Sequence, residues 1–208
     1  MNRGKYVVIE GHDGTGKSTQ VTLLRETLHK AGIESIEFHE PEGIPIANEI
    51  RTIIKNGTLP RDAKTNLLLF TAARHELWNH AQHAIDRGLW VIASRNYYST
   101  LAYQGYGEGL DIDVILQTTA TFTDDLYMHP DLAVILSLDN EAERSQRITR
   151  RGQHAAPDTF ESRDAVFQAA VQSGYLAIAH DYSLPVISAS QPKEVIAAAI
   201  YKLLERPV

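Results

Sequence analysis

The segment Gly11-His-Asp-Gly-Thr-Gly16-Lys17-Ser18 limits what this chain can become more than any other. It fits G-x-x-x-x-G-K-[ST] at every fixed position. The apolar run Tyr6-Val-Val-Ile9 leads into it and a helical pattern begins at Lys17, the strand–loop–helix setting that the motif needs. Gly11, Gly14 and Gly16 let the backbone turn tightly and aim its N–H groups at an anion, and the helix start adds about half a positive charge behind them. Lys17 brings a flexible ammonium for the β- and γ-phosphates, and Ser18 a hydroxyl for Mg²⁺. Gly11, His12, Asp13, Gly14, Thr15, Gly16, Lys17, Ser18 and Thr19 are therefore the expected ATP-binding residues. A glycine-rich turn capped by Ser18 and Thr19 is the plainer reading, and the flanking strand and helix favour the nucleotide site over it.

Beyond the loop, short apolar runs alternate with longer amphipathic stretches. Tyr6–Ile9, Ser35–Phe38, Leu89–Ala93, Leu132–Leu138 and Leu184–Ile187 read as strands, all but the second nearly wholly apolar, as strands covered on both faces are. Helical patterns span Lys17–Ala31, Asp62–Arg87 and Pro192–Arg206; Gly32 and Gly88 end the first two. The expected fold is α/β: a doubly wound, five-stranded parallel sheet flanked by helices, of the P-loop NTPase type, in a single domain over residues 1–208. Apolar periodicity fades over Arg144–Asp158, where Arg144, Arg147, Arg150 and Arg151 crowd together. We read about 141–160 as a mobile, arginine-rich lid, with Arg144, Arg147 and Arg151 at i, i+3, i+7 on one helical face. A solvated basic face is the ordinary alternative.

Composition removes whole classes of function. The chain has no cysteine, which excludes a disulfide framework, a thiolate zinc site and a cysteine nucleophile. A net charge of −6 argues against a surface that coats nucleic acid, so an anionic ligand must be held by a local cluster of cations. No apolar run approaches the roughly 18 residues of a membrane span, and Val7–Ile9 is too short for a secretory core, so a cytoplasmic protein with no membrane partner is expected. His75, His80 and His83 do not have the H-E-x-x-H spacing that would put two ligands on one helical face, so a solvated helix face is the better reading.

Four segments, in order, resemble the thymidylate kinase family. Glu10-Gly-His-Asp-Gly-Thr-Gly-Lys-Ser-Thr19 is similar to its E-G-x-D-G-x-G-K-[ST]-T opening, and His39-Glu-Pro-Glu-Gly-Ile-Pro45 to R-E-P-G-G-T-P. Leu67-Leu-Leu-Phe-Thr-Ala-Ala-Arg74 resembles L-L-F-x-A-x-R, and Ser94–Gly105 resembles D-R-Y-x-x-S-x-x-A-Y-Q-G. The resemblance runs from residue 6 to about 180 and implies ATP + dTMP → ADP + dTDP with Mg²⁺, in a homodimer.

It also implies roles. Arg95, directly after a buried strand at the end where ligands of open α/β sheets bind, would clamp the acceptor phosphate. Phe70 would stack on thymine, and Arg74, four residues on and so on the same helical face, would point at the base. Thr100 would hydrogen-bond the base and Tyr103 pack beside the sugar. Asp13 would reach the 3′-hydroxyl or order the Mg²⁺ shell, while Glu40, Pro41, Ser99 and Gln104 complete the acceptor site. Members of the family carry an arginine either inside the phosphate loop or in the lid. Gly14 follows Asp13 here, so the lid must supply the catalytic cation, and Arg147 and Arg151 are the candidates. Apart from the resemblance, Gln191 and its neighbours before the last helix are the residues expected near the adenine.

Some positions depart from the family pattern: Ser94 for Asp, Asn96 for an aromatic or His, His39 for Arg, Glu42 for Gly and Thr159 for Arg. Two other readings therefore stay open. One is a deoxynucleoside kinase of the same fold, with Glu40 recruited as the base that deprotonates a sugar hydroxyl. The other is a nucleotide-binding protein with weakened catalysis.

Overall fold

The computed structural model describes residues 3–151 and 159–205. Five strands, β1 (Tyr6–Gly11), β2 (Ser35–His39), β3 (Trp90–Ser94), β4 (Leu132–Ser137) and β5 (Val186–Ser188), form one parallel sheet in the order β2-β3-β1-β4-β5. All five expected strands are present. β2, the least apolar of them, is an edge strand with only Phe38 buried, which explains its weaker pattern.

Alternation along the central strands splits the core in two. Tyr6 and Val8 of β1, Val91 and Ala93 of β3, and Ala133 and Ile135 of β4 face one layer. Val7 and Ile9, Ile92, and Val134 and Leu136 face the other. The first layer is covered by α2 (Pro45–Lys55), α3 (Ala63–Asp86) and α8 (Ala165–Asp181). The second is covered by α1 (Lys17–Lys30) and α9 (Lys193–Leu204), through Val21, Leu24 and Leu28 and through Ile196 and Ile200. The central strands β1, β3 and β4, buried on both faces, are what a doubly wound parallel sheet requires.

The remaining helices connect these layers. α4 (Tyr97–Thr100) follows β3 and runs into a π-helical segment, Leu101–Gly107; then come α5 (Ile112–Phe122), α6 (Asp125–Met128) and α7 (Glu141–Arg151). Several starts are fixed by acidic caps. Asp62, Asp124 and Asp164 each accept a hydrogen bond from the backbone N–H three residues on. The part of the expected lid that falls on 141–151 is a regular helix, because Glu141 and Glu143 pair with Arg144 and Arg147 along it. Residues 152–158 of that lid lie outside the described residues. No helix among the described residues is long and apolar enough to cross a membrane.

Candidate active site

The loop after β1 adopts a conformation that few residue types allow. Gly11 sits at φ +140°, and a Cβ there would lie 2.3 Å from the Leu136 carbonyl oxygen of β4. At Gly14 (φ +88°) a Cβ would meet the Arg144 Cγ and carbonyl oxygen at 3.1 Å, so α7 packs on the loop where no side chain intervenes. Lys17 folds back over the loop and donates to the carbonyls of Gly11 (2.9 Å) and His12 (3.0 Å). Ser18 and Thr19 are exposed in the first turn of α1.

Arg95 leaves the end of β3 at φ +76°, a left-handed conformation rare for a non-glycine residue and held here by its surroundings. Its guanidinium donates to Asp13 at 2.6 Å, to Ser99 Oγ at 2.8 Å and to the Tyr175 hydroxyl at 2.9 Å. Tyr103 donates to the other Asp13 oxygen at 2.6 Å. Burial alone would raise the Asp13 carboxyl, but the Arg95 and Lys17 cations and the Tyr103 hydroxyl together hold it well below the usual carboxylate range. Asp13 is thus a fixed anion between the loop and Arg95.

A second network surrounds Arg74, whose side chain is only 2% exposed. Its Nε donates to Tyr127 (2.7 Å) and Glu40 (3.2 Å), and Nη2 to Thr100 Oγ1 (2.7 Å). Nη1 is buried with no hydrogen-bond partner, an unused donor that a polar ligand would satisfy. Tyr127 donates to Glu40 at 2.7 Å. Burial raises the Glu40 carboxyl above its ordinary value, against the pull of Arg74. Glu40 and Pro41, joined by a cis bond, both line the pocket wall.

One cavity of about 220 Å³ joins these parts. Asp13, Gly14, Gly16, Lys17 and Ser18 of the loop line it together with Glu40, Pro41, Phe70, Arg74, Arg95, Ser99, Thr100, Tyr103 and Gln104. Every residue assigned from sequence to the acceptor is therefore brought to one pocket. Phe70 packs beside Phe160, ring centroids 6.0 Å apart, on the same wall.

The sequence reading missed Arg51, which lines the pocket with its Nε 2.9 Å from Glu42. It also missed Tyr127, Tyr175 and Phe160. An arginine one helical stretch after Pro45 was a readable signal, whereas nothing local marks the two tyrosines. The departures Ser94 and Asn96 also line the pocket, both nearly buried.

The α7 arginines separate. Arg144 is 5% exposed, pairs with Glu141 at 2.6 Å and brings Nη1 within 3.5 Å of His12 Nε2. Arg147 turns the other way, to Glu143 (2.6 Å) and the Ala189 carbonyl (3.0 Å) just past β5. Arg151 ends the helix, and its side chain lies outside the described residues. His12 Nε2 lies 2.8 Å from Gln168 Oε1, while Gln168 Nε2 donates to the Phe160 carbonyl, so the His12 proton belongs on Nε2. Burial, reinforced by Arg144, lowers the His12 pKa to about 4. Gln191 is exposed in the turn before α9. His75 and His83 bond to the Phe122 and Asn79 carbonyls.

A family model described as Thymidylate kinase matches residues 9–200. The thymidylate kinase of Carboxydothermus hydrogenoformans is 34% identical, with 98% of each chain covered. That of Deinococcus radiodurans is also 34% identical, over 97% of this chain and 96% of the relative. The crystal structure of thymidylate kinase from Ehrlichia chaffeensis superposes with a TM-score of 0.78 at 25% identity, covering 98% of this chain and 100% of that one.

Proposed function

The chain belongs to the thymidylate kinase family, and from that premise we propose how its pocket transfers the γ-phosphoryl group of ATP to dTMP, giving ADP and dTDP. The observation that carries this reading is a single cavity lined both by the phosphate loop and by Phe70, Arg74 and Arg95. A donor and an acceptor nucleotide can meet there with their phosphates adjacent.

The chemistry asks the protein for position and charge. The acceptor phosphate is already a nucleophilic anion, so no general base is needed, and the site must hold two polyanions in line. The loop amides and Lys17 take the ATP phosphates. Arg95, fixed by Asp13 and Ser99, meets the acceptor phosphate, and Arg51 adds a second cation at the pocket wall. Phe70 stacks on thymine, an interaction worth roughly 1–3 kcal/mol. The unpartnered Nη1 of Arg74 donates to the base, with Thr100 beside it. Glu40 then serves as the anchor of Arg74 and Tyr127 and has no proton to abstract. The cation over the transferring group comes from α7, where Arg144 already packs on the loop and Arg147 and Arg151 follow.

Mg²⁺ accompanies ATP in P-loop kinases and offsets phosphate charge when bound. Ser18 presents an exposed hydroxyl, a hard oxygen of the kind Mg²⁺ takes, and the Asp13 and Ser94 oxygens line the same pocket, so the donor set fits the ion. A homodimer fits the apolar residues that α3 and α5 leave outward, Leu68 at 62% and Phe122 at 47% exposure.

A coupled assay of ADP release across nucleoside monophosphates and thymidine tests the assignment. Turnover is expected with dTMP and not with thymidine. Thymidine turnover with dTMP idle would overturn it in favour of a deoxynucleoside kinase.

A further inference from the structure

Glu10 is the last carboxylate before the phosphate loop and is fully buried. Such a group is costly to bury unless its oxygens are satisfied. They are: Oε1 accepts from the backbone N–H of Asn96 (2.8 Å) and Ser99 (3.0 Å). Oε2 accepts from Gly11 N–H (3.2 Å), Ser99 Oγ (2.8 Å) and the Tyr175 hydroxyl (3.1 Å).

The two hydroxyls decide what this cluster does. Each donates its one proton to Glu10, and each accepts from Arg95 Nη1, at 2.8 Å for Ser99 and 2.9 Å for Tyr175. The two hydroxyl oxygens also lie 2.9 Å apart, within hydrogen-bond distance of each other, which ties the two links together. Arg95 is thus held on its Nη1 side by Glu10 through two parallel hydroxyl links and on its Nη2 side by Asp13 directly. Its backbone is in a left-handed conformation, and Glu10 also caps the turn that carries it by accepting from Asn96 and Ser99.

Tyr175 arrives from a different part of the chain. It lies on α8, two turns beyond Gln168, and these two residues share the helical face that meets the loop and Arg95. We propose that Tyr175, acting with Glu10, is a positioning residue that fixes the Arg95 guanidinium for the acceptor phosphate. The proposal rests on the reading of Arg95 as the residue that holds that phosphate.

Binding of dTMP and of thymidine, compared by titration calorimetry, tests it, because the two ligands differ only in the phosphate that Arg95 would meet. Tyr175→Phe keeps the ring and removes the hydroxyl. It should weaken dTMP about tenfold while leaving thymidine within about twofold, since the lost link acts only on the guanidinium. Ser99→Ala, which removes the other link, should show the same selective loss and serves if Tyr175→Phe does not fold. Equal weakening of both ligands, or of neither, would overturn the proposal. Arg95→Ala is the control. If it too spares dTMP binding, the reading of Arg95 is what has failed; if it weakens dTMP selectively while Tyr175→Phe does not, only the positioning role falls.

Discussion

The phosphate loop with Arg95 and the arginines of α7 carry the same charge, yet they are built in opposite ways. Lys17 and Arg95 are held by acceptors drawn from β1, the loop, α4 and α8, and Arg95 sits in a strained backbone conformation that this surrounding maintains. Arg144 and Arg147 rest instead on carboxylates three and four residues back on their own helix. Where such a pair is partly exposed, as at Arg147, it is worth only a few tenths of a kcal/mol, whereas Arg144 is buried against the loop. A fixed cation is ready before the ligand arrives, and a cation parked on its own helix is released to the ligand at little cost. On the proposed function, preorganisation and recruitment would divide the work of neutralising two phosphate chains.

The contrast breaks first at Lys17. Lys17→Ala should lower kcat by about a thousandfold or more, roughly 4 kcal/mol, with an unchanged melting temperature. Ordinary turnover in that variant would mean the loop is not the donor site. The next effect concerns His12, where the two regions meet. In the folded chain its imidazole stays neutral down to about pH 4, whereas in the unfolded chain it takes up a proton near pH 6.5. Acid therefore favours the unfolded chain, and this one group should cost about 3 kcal/mol of stability as the pH falls from about 7 to 4. Denaturant melts of the wild type and of His12→Gln should diverge across that window, the variant losing less; parallel curves would show that His12 does not titrate at the junction. The smallest effect separates the α7 arginines. Arg144→Ala should cost about tenfold in kcat, roughly 1.4 kcal/mol, and Arg147→Ala less than that, because Arg147 points to the Ala189 carbonyl, away from the loop. The reverse order would place the recruited cation farther along the helix.

How much could be read beforehand follows the same division. The loop and the strands were readable because each depends on residues next to one another: fixed glycines around Lys17, and runs covered on both faces. α8 escaped notice because apolar residues ring it, Val166 and Leu176 lying outward while Phe167, Val171 and Tyr175 face the core. α7 offered arginine spacing that fits one helical face but no apolar stripe, so it read as an arginine-rich lid and the bounds of its helix were not legible. The pocket residues Phe70, Arg74 and Arg95 were found through motif resemblance. Glu10 and Tyr175 form their contact across 165 positions, and no local pattern carries that information.

Position 14 settles a question of design for this scaffold. Any side chain there would have to twist out of a glycine conformation and displace the Arg144 stem. A cation delivered from the loop and one delivered from α7 thus compete for the same few cubic ångströms. An arginine grafted into the loop would press on the stem of its α7 counterpart, so the two would not simply add.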